Sequence, residues 1–281
     1  MPTSDTAGIG RDEAERGTDT PTAVLIGVTG GFGHALARLL ADEGYRLVLA
    51  ARREYDAAAL TGRSDDDSAI YVRADVADPA SLEKLAASAF EHLGRIDVVV
   101  NLAGISPRKA IEEYTPADVE SMLDVNVKGP IFVTQAFLPG LLKQAGGGMV
   151  VHVGGAMDGR VGLPFMSAYA ATRGALASYV QASNRELAGT NVALSFFGPA
   201  PANTESESAY FDMWRKMKVS LVEPEAVAQE ILATIRKRRR VHVMGGAMLR
   251  MMSAVNAVSP SAADAIGLRR FGKLIKQHHP R

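Results

Sequence analysis

The segment LIGVTGGFGHALA, residues 25–37, joins a short apolar run to a helical pattern through spaced glycines. Gly27, Gly31 and Gly33 have the spacing G-x-x-x-G-x-G. In such a turn one glycine permits a tight reversal, one lets the backbone approach a pyrophosphate, and one allows close packing of helix on strand. The helix N-terminus then directs N–H groups and a positive dipole end at the phosphates. A purely structural turn is the alternative, but the position between a strand and a helix favours a dinucleotide site.

Outward from this turn, apolar runs alternate with helical patterns through most of the chain. Predicted strands occupy residues 23–27, 45–51, 68–75, 96–104, 149–155, 191–199 and 241–246. Predicted helices occupy residues 33–44, 80–94, 115–143, 166–189 and 223–237. Apolar strands separated by helices indicate a parallel sheet covered on both faces. Right-handed crossovers then predict an α/β fold with a Rossmann-type, doubly wound parallel sheet flanked by helices.

The composition of the 281 residues argues against several classes of protein. Because the chain has no cysteine, it forms neither disulfides nor thiolate metal sites, and we predict no metal site. The formal net charge is zero, so no overall positive field favours nucleic acid. No apolar run is long enough to span a membrane, and the N-terminus lacks the apolar core of a secretory signal. We therefore expect a cytoplasmic protein.

Three regions of the chain differ in composition. Residues 1–20 are polar and rich in Gly, Thr and Asp, which is typical of a flexible tail. Residues 21–246 carry the alternating strands and helices, and residues 247–281 form a basic, Met-containing C-terminal extension. Residues 236–281 contain eleven Lys or Arg and one acid. Such a charge run is either a solvated face or a peripheral contact with an acidic membrane surface or partner.

The end of the second predicted strand carries Arg52 and Arg53. In nucleotide-binding folds an acid at this place binds the ribose hydroxyls of adenosine, whereas arginine suits a 2′-phosphate. The alternative is that both arginines are ordinary surface charges. The sequence therefore favours NADP(H) over NAD(H) as the cofactor.

From about Ala23 to Met244 the chain resembles a short-chain dehydrogenase/reductase. The resemblance rests on ordered motifs: the glycine turn, Asp75-Val76, Asn101-x-Ala103-Gly104, Asn126 in DVNVKGP, Tyr169-x-x-x-Arg173, Pro199 and Thr204. It implies a Rossmann-type sheet of seven strands. It also implies cofactor contacts from Gly27, Thr29, Gly31, Phe32, Gly33, Arg52, Arg53, Asp75, Val76, Asn101, Ala103, Gly104, Tyr169, Arg173, Pro199 and Thr204. Adenine would lie near Asp75 and Val76, and the nicotinamide near Pro199 and Thr204.

The resemblance also implies catalytic roles. In this family a tyrosine is the general acid/base, a lysine one helical turn later holds the nicotinamide ribose and lowers the pKa of the tyrosine, and a serine hydrogen-bonds the substrate oxygen. A helix asparagine supports a proton relay. Here Tyr169, Arg173 and Asn126 would be the catalytic residues. Because positions i and i+4 share a helix face, Tyr169 and Arg173 can both face the cofactor. An ordinary tyrosine has a pKa of about 10 and needs a nearby cation to ionise around neutral pH.

Two departures from the family pattern affect this chemistry. The guanidinium of Arg173 keeps the positive charge of a lysine, but it is planar, bulkier and effectively never deprotonated, so it does not pass a proton. The serine position falls on Ala156 when counted from Tyr169 by the family's spacing, and on Gly155 when aligned from the strand. Neither residue has a hydroxyl. Losing one such donor costs about 3–4 kcal/mol, or about 10²–10³ in rate.

Three polar residues nearby are candidate substitutes for the serine: His152, Asp158 and Ser167. Ser167 lies two residues before Tyr169 and therefore on a different helix face. His152 is expected to pack into the sheet as a strand residue. We favour none of the three as a replacement.

The substrate side is expected between the sixth strand and Glu223. In the family this region, residues 200–222 here, forms a mobile lid. Its large apolar residues either line a pocket or pack the lid onto the body: Phe211, Met213, Trp214 and Met217. Ala156, Phe165 and Trp214 are predicted to contact a small hydrophobic substrate. The methionine-containing C-terminal extension would cover the pocket, form a subunit contact or lie on a membrane.

These features predict an NADP(H)-dependent oxidoreductase that acts on a carbonyl or alcohol of a hydrophobic small molecule, with an atypical active site. Because the serine and the lysine are replaced, two alternatives stay open. One is a non-redox enzyme on the same scaffold, such as a cyclase, dehydratase or isomerase, and the other is a nucleotide-binding protein without catalysis. The family pairs subunits through its long helices, so the resemblance also implies a homodimer or homotetramer formed through residues 115–143 and 166–189.

Overall fold

A seven-stranded sheet forms the centre of the molecule, of which a computed structural model describes residues 20–63, 68–155 and 161–278. The strands are Thr22–Ile26 (β1), Arg46–Ala51 (β2), Ala69–Arg73 (β3), Val98–Asn101 (β4), Gly148–Val153 (β5), Val192–Gly198 (β6) and Val241–Val243 (β7). Their order is β3-β2-β1-β4-β5-β6-β7, and every neighbouring pair is parallel. This arrangement confirms the predicted fold class, and its order reverses between β1 and β4, where doubly wound sheets bind ligands.

Helices cover both faces of this sheet. They are Gly31–Asp42 (α1), Ala57–Thr61 (α2), Pro79–Leu93 (α3), Pro116–Leu123 (α4), Gly129–Lys143 (α5), Ser167–Glu186 (α6), Phe211–Lys216 (α7), Pro224–Arg236 (α8), Gly246–Val258 (α9) and Pro260–His278 (α10). Helices α1 and α8 pack on one face, and α3, α5 and α6 on the other. In the part of the chain that the structure describes, no helix is both long and apolar enough to cross a membrane.

The strand sequences are continuously apolar because both faces of the sheet are buried. In β1, Ala23 and Leu25 belong to the core beneath α1 and α8, whereas Val24 and Ile26 belong to the core beneath α3 and α5. Successive side chains of a strand point to opposite faces, so each face receives alternate residues. A parallel sheet with helices on both faces therefore has strands without alternating polar residues.

The carboxyl ends of the central strands meet at one edge of the sheet. The segments that follow β1, β4, β5 and β6 at this edge are the glycine turn, the Asn101–Gly104 turn, Gly154-Gly155 and Pro199. Three of these segments carry residues predicted to bind the cofactor, and Gly155 is one of the two positions predicted for the family's serine. The parallel topology thus brings together segments that lie far apart in the chain.

Several predicted boundaries were wrong. The single helix predicted for residues 115–143 is divided into α4 and α5 by a π-helical turn at Asp124–Lys128. Strand β7 ends at Val243 because Gly245 adopts a left-handed φ of +68° and begins α9. Helices α2, α7, α9 and α10 were not predicted. Two of these are only five or six residues long, and the other two lie in the extension, where no strand–helix alternation indicates an element.

His152 is a fully buried strand residue, as its position in the sequence suggested. Its Nε2 lies 3.0 Å from the Thr134 hydroxyl oxygen, and that hydroxyl donates its own hydrogen to the Pro130 carbonyl oxygen at 2.9 Å. The Thr134 oxygen therefore accepts from Nε2–H, which fixes the neutral tautomer of the imidazole. Burial lowers the pKa of His152 to about 3.

The buried imidazole predicts a loss of stability in mild acid. Between the folded-state pKa of about 3 and the unfolded value of about 6.5, the unfolded chain binds a proton that the folded chain does not, so stability falls as the pH falls through this window. Between about pH 7 and about pH 5, His152 alone should lower the free energy of unfolding by about 2 kcal/mol. Urea unfolding of the wild type and of His152→Gln at both pH values measures this difference. His34→Gln, which removes an exposed histidine, is the control for the substitution itself.

Candidate active site

The glycine turn joins β1 to α1 where three chain segments approach closely. Gly27 has a φ of +88°, and a Cβ there would lie 2.7 Å from the Ala103 backbone nitrogen. At Gly33 a Cβ would collide with the Val28 carbonyl group. Both positions therefore require glycine, the first for its conformation and contact and the second for the packing of helix on strand. The turn has the shape that its spacing predicted.

The first turn of α1 fits the pyrophosphate of a dinucleotide. The helix follows Gly30 at its N-cap and has no acidic residue in its first turn, so its N–H groups and positive dipole end meet no competing carboxylate there. A Cβ at Gly31 would lie 2.6 Å from Thr204 Cγ2, so the root of the lid contacts the turn. Thr29 is exposed beside it, and Phe32 packs against the core beneath α1.

Arg52 and Arg53 lie at the carboxyl end of β2, with both side chains exposed. Their backbone is held from β3: the Arg52 carbonyl accepts from Arg73 Nε at 3.0 Å, and the Arg53 carbonyl accepts from the Tyr71 hydroxyl. The loop is therefore fixed while two guanidinium groups face solvent. This arrangement can bind a phosphate at the adenosine end of the turn.

Asp75 and Val76 follow β3 on the same edge. The Asp75 carboxylate accepts from the Ala77 N–H at 3.0 Å, and the Asp75 N–H donates to Ser81 Oγ at 3.1 Å. Val76 is buried, and its Cγ2 would lie 3.0 Å from a Cβ placed at Gly129. Asp75 thus shapes its own loop, and Val76 packs that loop against the start of α5.

The turn after β4 lies between the glycine turn and α6. The Asn101 side-chain oxygen accepts from the Ala103 N–H at 3.1 Å, which closes the turn. A Cβ at Gly104 would lie only 3.0 Å from Arg173 Nη2, so the guanidinium of Arg173 sits directly against this turn. The structure therefore brings Arg173 to the segment that the resemblance places behind the cofactor.

Asn126 lies in the π-helical turn and is fully buried. Its side-chain oxygen accepts from the Ile105 N–H at 3.0 Å, and its amide donates to the Ile105 carbonyl at 2.8 Å. The amide nitrogen also lies 3.3 Å from the Thr172 hydroxyl, which in turn donates to the Tyr169 carbonyl at 2.7 Å. The side chain therefore fixes the loop after Gly104 against the helix that carries the tyrosine.

Tyr169 and Arg173 lie on the same face of α6, one turn apart. Their side chains are 8% and 2% exposed, and the guanidinium carbon of Arg173 lies 4.6 Å from the centre of the tyrosine ring. Arg173 Nε is buried without a hydrogen-bond partner among the described residues. A buried N–H donor of a cation that lacks an acceptor is costly. Ribose hydroxyls at this place would supply acceptors, so the residues present fit a dinucleotide.

Gly155, which follows β5, lies directly against the hydroxyl of Tyr169. A Cβ on Gly155 would collide with that hydroxyl oxygen and would lie 3.1 Å from Tyr169 Cζ. On its other side the Gly155 carbonyl oxygen would lie 2.6 Å from a Cβ at Gly198, just before the buried Pro199. The end of β5 is therefore too crowded for a serine at residue 155 while Tyr169 stays where it is.

The structure does not supply a substitute for the missing serine from the residues it describes. His152 is buried inside the sheet and hydrogen-bonded to Thr134, so it does not face the tyrosine hydroxyl. Ser167 is exposed at the start of α6. Ala156 and Asp158 lie outside the described residues. Of the two positions predicted for the serine, only Gly155 has a described environment.

Apolar side chains pack around Tyr169. The buried members of this methionine–aromatic cluster are Met122, Met166, Tyr169, Trp214, Met217 and Phe271. Trp214 and Met217 come from the lid, so these two residues pack the lid onto the body, which was one of the two alternatives for them. Phe271 comes from α10, so this helix of the C-terminal extension packs against the cluster. No local pattern in the sequence indicated the contact of Phe271.

Phe165 has a left-handed φ of +65°, which is uncommon for a residue with a side chain. Its carbonyl oxygen accepts from the Lys109 N–H at 3.1 Å and lies 3.3 Å from the Tyr114 hydroxyl. The Tyr114 hydroxyl also lies 3.1 Å from the Pro107 carbonyl oxygen. These bonds join the loop after β4 to the segment that leads into α6, and burial raises the pKa of Tyr114.

Arg108, in the same loop, was not predicted as a site residue. Its guanidinium lies over two aromatic rings of the lid, with its central carbon 4.1 Å from the centre of the Tyr210 ring and 4.9 Å from that of Trp214. Arg108 Nη2 donates to Glu207 at 2.7 Å, and the other oxygen of Glu207 accepts from Trp214 Nε1 at 2.7 Å. From the sequence, a single arginine in a polar loop is expected to be an exposed charge. Only the tertiary structure shows that Arg108 is buried.

A family model described as short chain dehydrogenase matches residues 21–214. Among curated proteins, an uncharacterized oxidoreductase of Staphylococcus aureus is 30% identical over 221 residues, which are 79% of this chain and 93% of that protein. An uncharacterized oxidoreductase of Staphylococcus epidermidis is 30% identical over 222 residues, with the same shares covered.

Solved structures show the same similarity. A short chain dehydrogenase/reductase from Burkholderia phymatum in complex with NAD matches with a TM-score of 0.75 and 25% identity, covering 87% of this chain and 95% of that one. A short chain dehydrogenase from Burkholderia cenocepacia in complex with NADP matches with a TM-score of 0.69 and 26% identity, covering 79% and 95%. Similar proteins therefore bind either nicotinamide dinucleotide.

Proposed function

Since this chain belongs to the short chain dehydrogenase family, we propose that it is an NADP(H)-dependent oxidoreductase acting on a carbonyl or alcohol of a hydrophobic small molecule. The observation that carries the proposal is the position of Arg173, which is buried against both Tyr169 and the Gly104 turn. The family's acid/base residue, a cation and the cofactor-facing turn are thus adjacent. When bound, the cofactor supplies or accepts the hydride, and the chain supplies the proton chemistry and the binding groups.

In the proposed mechanism Tyr169 transfers the proton at the substrate oxygen. Its hydroxyl donates to a carbonyl oxygen in reduction, or accepts from an alcohol in oxidation. The charge of Arg173, 4.6 Å from the tyrosine ring, stabilises the phenolate left after donation. Arg173 stays charged throughout and does not return the proton. Asn126 holds the loop after Gly104 and α6 in register, so both groups keep their positions.

The function test uses purified protein, NADPH, and a panel of ketones and aldehydes with apolar substituents. Substrate-dependent loss of nicotinamide absorbance would support the proposal. NADPH binding without oxidation by any member of the panel would count heavily against it. The panel should include open-chain and ring ketones, because the methionine–aromatic cluster is apolar without defining a shape.

The preference for NADP(H) is proposed from Arg52 and Arg53, whose exposed guanidinium groups suit a 2′-phosphate. The double variant Arg52→Ala/Arg53→Ala should weaken NADPH binding by about 10²–10⁴-fold and leave NADH binding nearly unchanged, because each charge-assisted contact contributes about 1.5–3 kcal/mol. Equilibrium titration with both cofactors measures the two affinities. Lys84→Ala, which removes an exposed cation on α3, is the control. Equal losses for both cofactors would contradict the preference.

A second candidate function is a non-redox reaction on the same scaffold. The contact between Gly155 and Tyr169 favours it. The tyrosine hydroxyl lies where the side chain of a serine at residue 155 would have to be. A cyclase, dehydratase or isomerase needs a positioned acid or base but no hydride transfer. Its signature is product formation without any net change in nicotinamide absorbance. Turnover that consumes one NADPH per product would exclude it.

Exposed apolar side chains on the long helices bear on how the protein assembles. Leu123 on α4 and Leu142 on α5 are 42% and 47% exposed, which supports a homodimer or homotetramer through the long helices. Light scattering of the purified protein measures the mass of the oligomer.

We also propose a cytoplasmic protein. Exposed Met251 and Val258 on α9, in a basic extension, support peripheral contact with an acidic membrane, which co-sedimentation with anionic vesicles tests.

A further inference from the structure

We propose that Arg108 is the receptor for a carboxylate group of the substrate, and that Glu207 of the lid occupies this receptor in the present structure. The inference rests on the proposed function for the location of the substrate. It gives the hydrophobic substrate an acidic end, which neither the sequence motifs nor the family resemblance indicates.

Arg108 is a buried cation that lies over two aromatic side chains. Its side chain is only 6% exposed, and its guanidinium lies over the rings of Tyr210 and Trp214. Burying a cation costs several kcal/mol unless an anion and hydrogen-bond acceptors compensate. A guanidinium over aromatic rings keeps its N–H groups in its own plane, where a carboxylate can accept from two of them. This is the geometry in which arginine binds carboxylates.

The donors of Arg108 are only partly used. Nη2 donates to Glu207 at 2.7 Å, whereas Nε and Nη1 are buried and have no hydrogen-bond partner among the residues that the structure describes. A guanidinium has five N–H donors, and a purely structural ion pair at this depth normally satisfies them. Two unpartnered nitrogens, which carry three N–H groups on one buried cation, therefore point to a further acceptor group that this site receives.

Glu207 is the exchangeable member of the pair. Its side chain is 18% exposed and belongs to the 3-10 turn Glu205–Tyr210 of the lid. The loop of Arg108 is instead held to the body, since the neighbouring Lys109 N–H donates to the Phe165 carbonyl at 3.1 Å. Glu207 bridges the guanidinium and the Trp214 indole with its two oxygens. A ligand carboxylate carries the same charge and would displace Glu207 while also accepting from the unused N–H groups of Arg108.

The receptor lies beside the proposed chemistry. Trp214 and Tyr210 pack in the methionine–aromatic cluster that contains Tyr169, and Phe165 precedes Tyr169 by four residues. A substrate with its carboxylate on Arg108 would place its apolar body along this cluster and its reacting carbonyl at the tyrosine hydroxyl. The acidic end then fixes the orientation of an otherwise apolar molecule.

Trp214 makes this proposal directly measurable, because it is the only tryptophan of the chain and it contacts Glu207. We would titrate the full-length protein, without cofactor, with hexanoate and with hexan-1-ol of equal chain length, following intrinsic tryptophan fluorescence. Hexanoate should give a saturable change at a concentration at least about tenfold below that of the alcohol. Arg108→Gln should abolish this difference, whereas Arg215→Gln, which removes an exposed lid cation, should keep it.

Glu207→Gln tests the exchange in a chain that retains Arg108. Removing the competing charge leaves the cation unneutralised, so hexanoate should bind at least about fivefold more tightly. Glu205→Gln, an exposed acid on the same lid segment, should not change the affinity. Equal binding of acid and alcohol, or unchanged hexanoate binding in Glu207→Gln, overturns the proposal. Because no nicotinamide is present, a failure of the redox function leaves this result unaffected.

Discussion

Replacing Tyr169 with phenylalanine is expected to lower kcat/KM for NADPH-dependent carbonyl reduction by about 10²–10⁴-fold, which is the contribution of a positioned general acid. The substitution removes the hydroxyl alone. The ring, which packs in the methionine–aromatic cluster and lies 4.6 Å from the guanidinium carbon of Arg173, stays in place. Cofactor affinity and the free energy of unfolding should therefore change little, and the loss should appear in the chemical step.

The matched control is Tyr179→Phe on the same helix. Tyr179 lies beside His152, with ring centres 6.4 Å apart, and packs in the core beneath α6 rather than in the methionine–aromatic cluster. Its hydroxyl has no role in the proposed chemistry, so the rate should stay within a few-fold of wild type. A Tyr169→Phe enzyme with wild-type activity would mean that another group donates the proton. A protein whose cellular role survives this substitution but not a substitution in the glycine turn would be a nucleotide-binding protein without catalysis.

The fold was predictable because its signals are local. The apolar run of β1, the glycine spacing and the amphipathic pattern of α1 each lie within a few residues, and the parallel topology follows from their alternation with later strands. The boundaries were less predictable. The π-helical turn at Asp124–Lys128 stands just before Gly129-Pro130 inside a helical pattern, and the pattern does not show whether the helix is interrupted there. The side chain of Asn126 in this turn is held by hydrogen bonds to Ile105, a residue of another segment.

The candidate site was predictable only where a motif carries it. The turn residues, Tyr169 and Arg173 stand in recognisable patterns, and the carboxyl edge of the sheet brings them together. Arg108 and Phe271 stand in no pattern. Their burial depends on the lid and on α10 folding back over the same cluster, which is a long-range contact that no window of sequence contains. The pairing of Arg108 with Glu207 joins residues 99 positions apart.

The missing serine leads to the second large expected effect, since the two candidate positions for it should respond in opposite ways. Gly155→Ser should lower kcat/KM by at least about 10²-fold, because its Cβ would displace the Tyr169 hydroxyl on which the proton transfer depends. Ala156→Ser, at the position that the family's spacing indicates, should raise kcat/KM by about tenfold or more by restoring a donor to the substrate oxygen.

Steady-state kinetics with the best carbonyl substrate, together with cofactor titration, separates these two effects. Gly162→Ser is the control for adding a hydroxymethyl group in the same segment, because a Cβ at Gly162 would meet no atom within 4 Å among the described residues. If Gly155→Ser is instead the variant that gains activity, the tyrosine moves readily and the serine position belongs to the strand alignment. If neither serine raises the rate and Tyr169→Phe remains inactive, the substrate oxygen is polarised by another group. Arg173 would then be the first residue to test, since its buried cation already lies against the tyrosine ring.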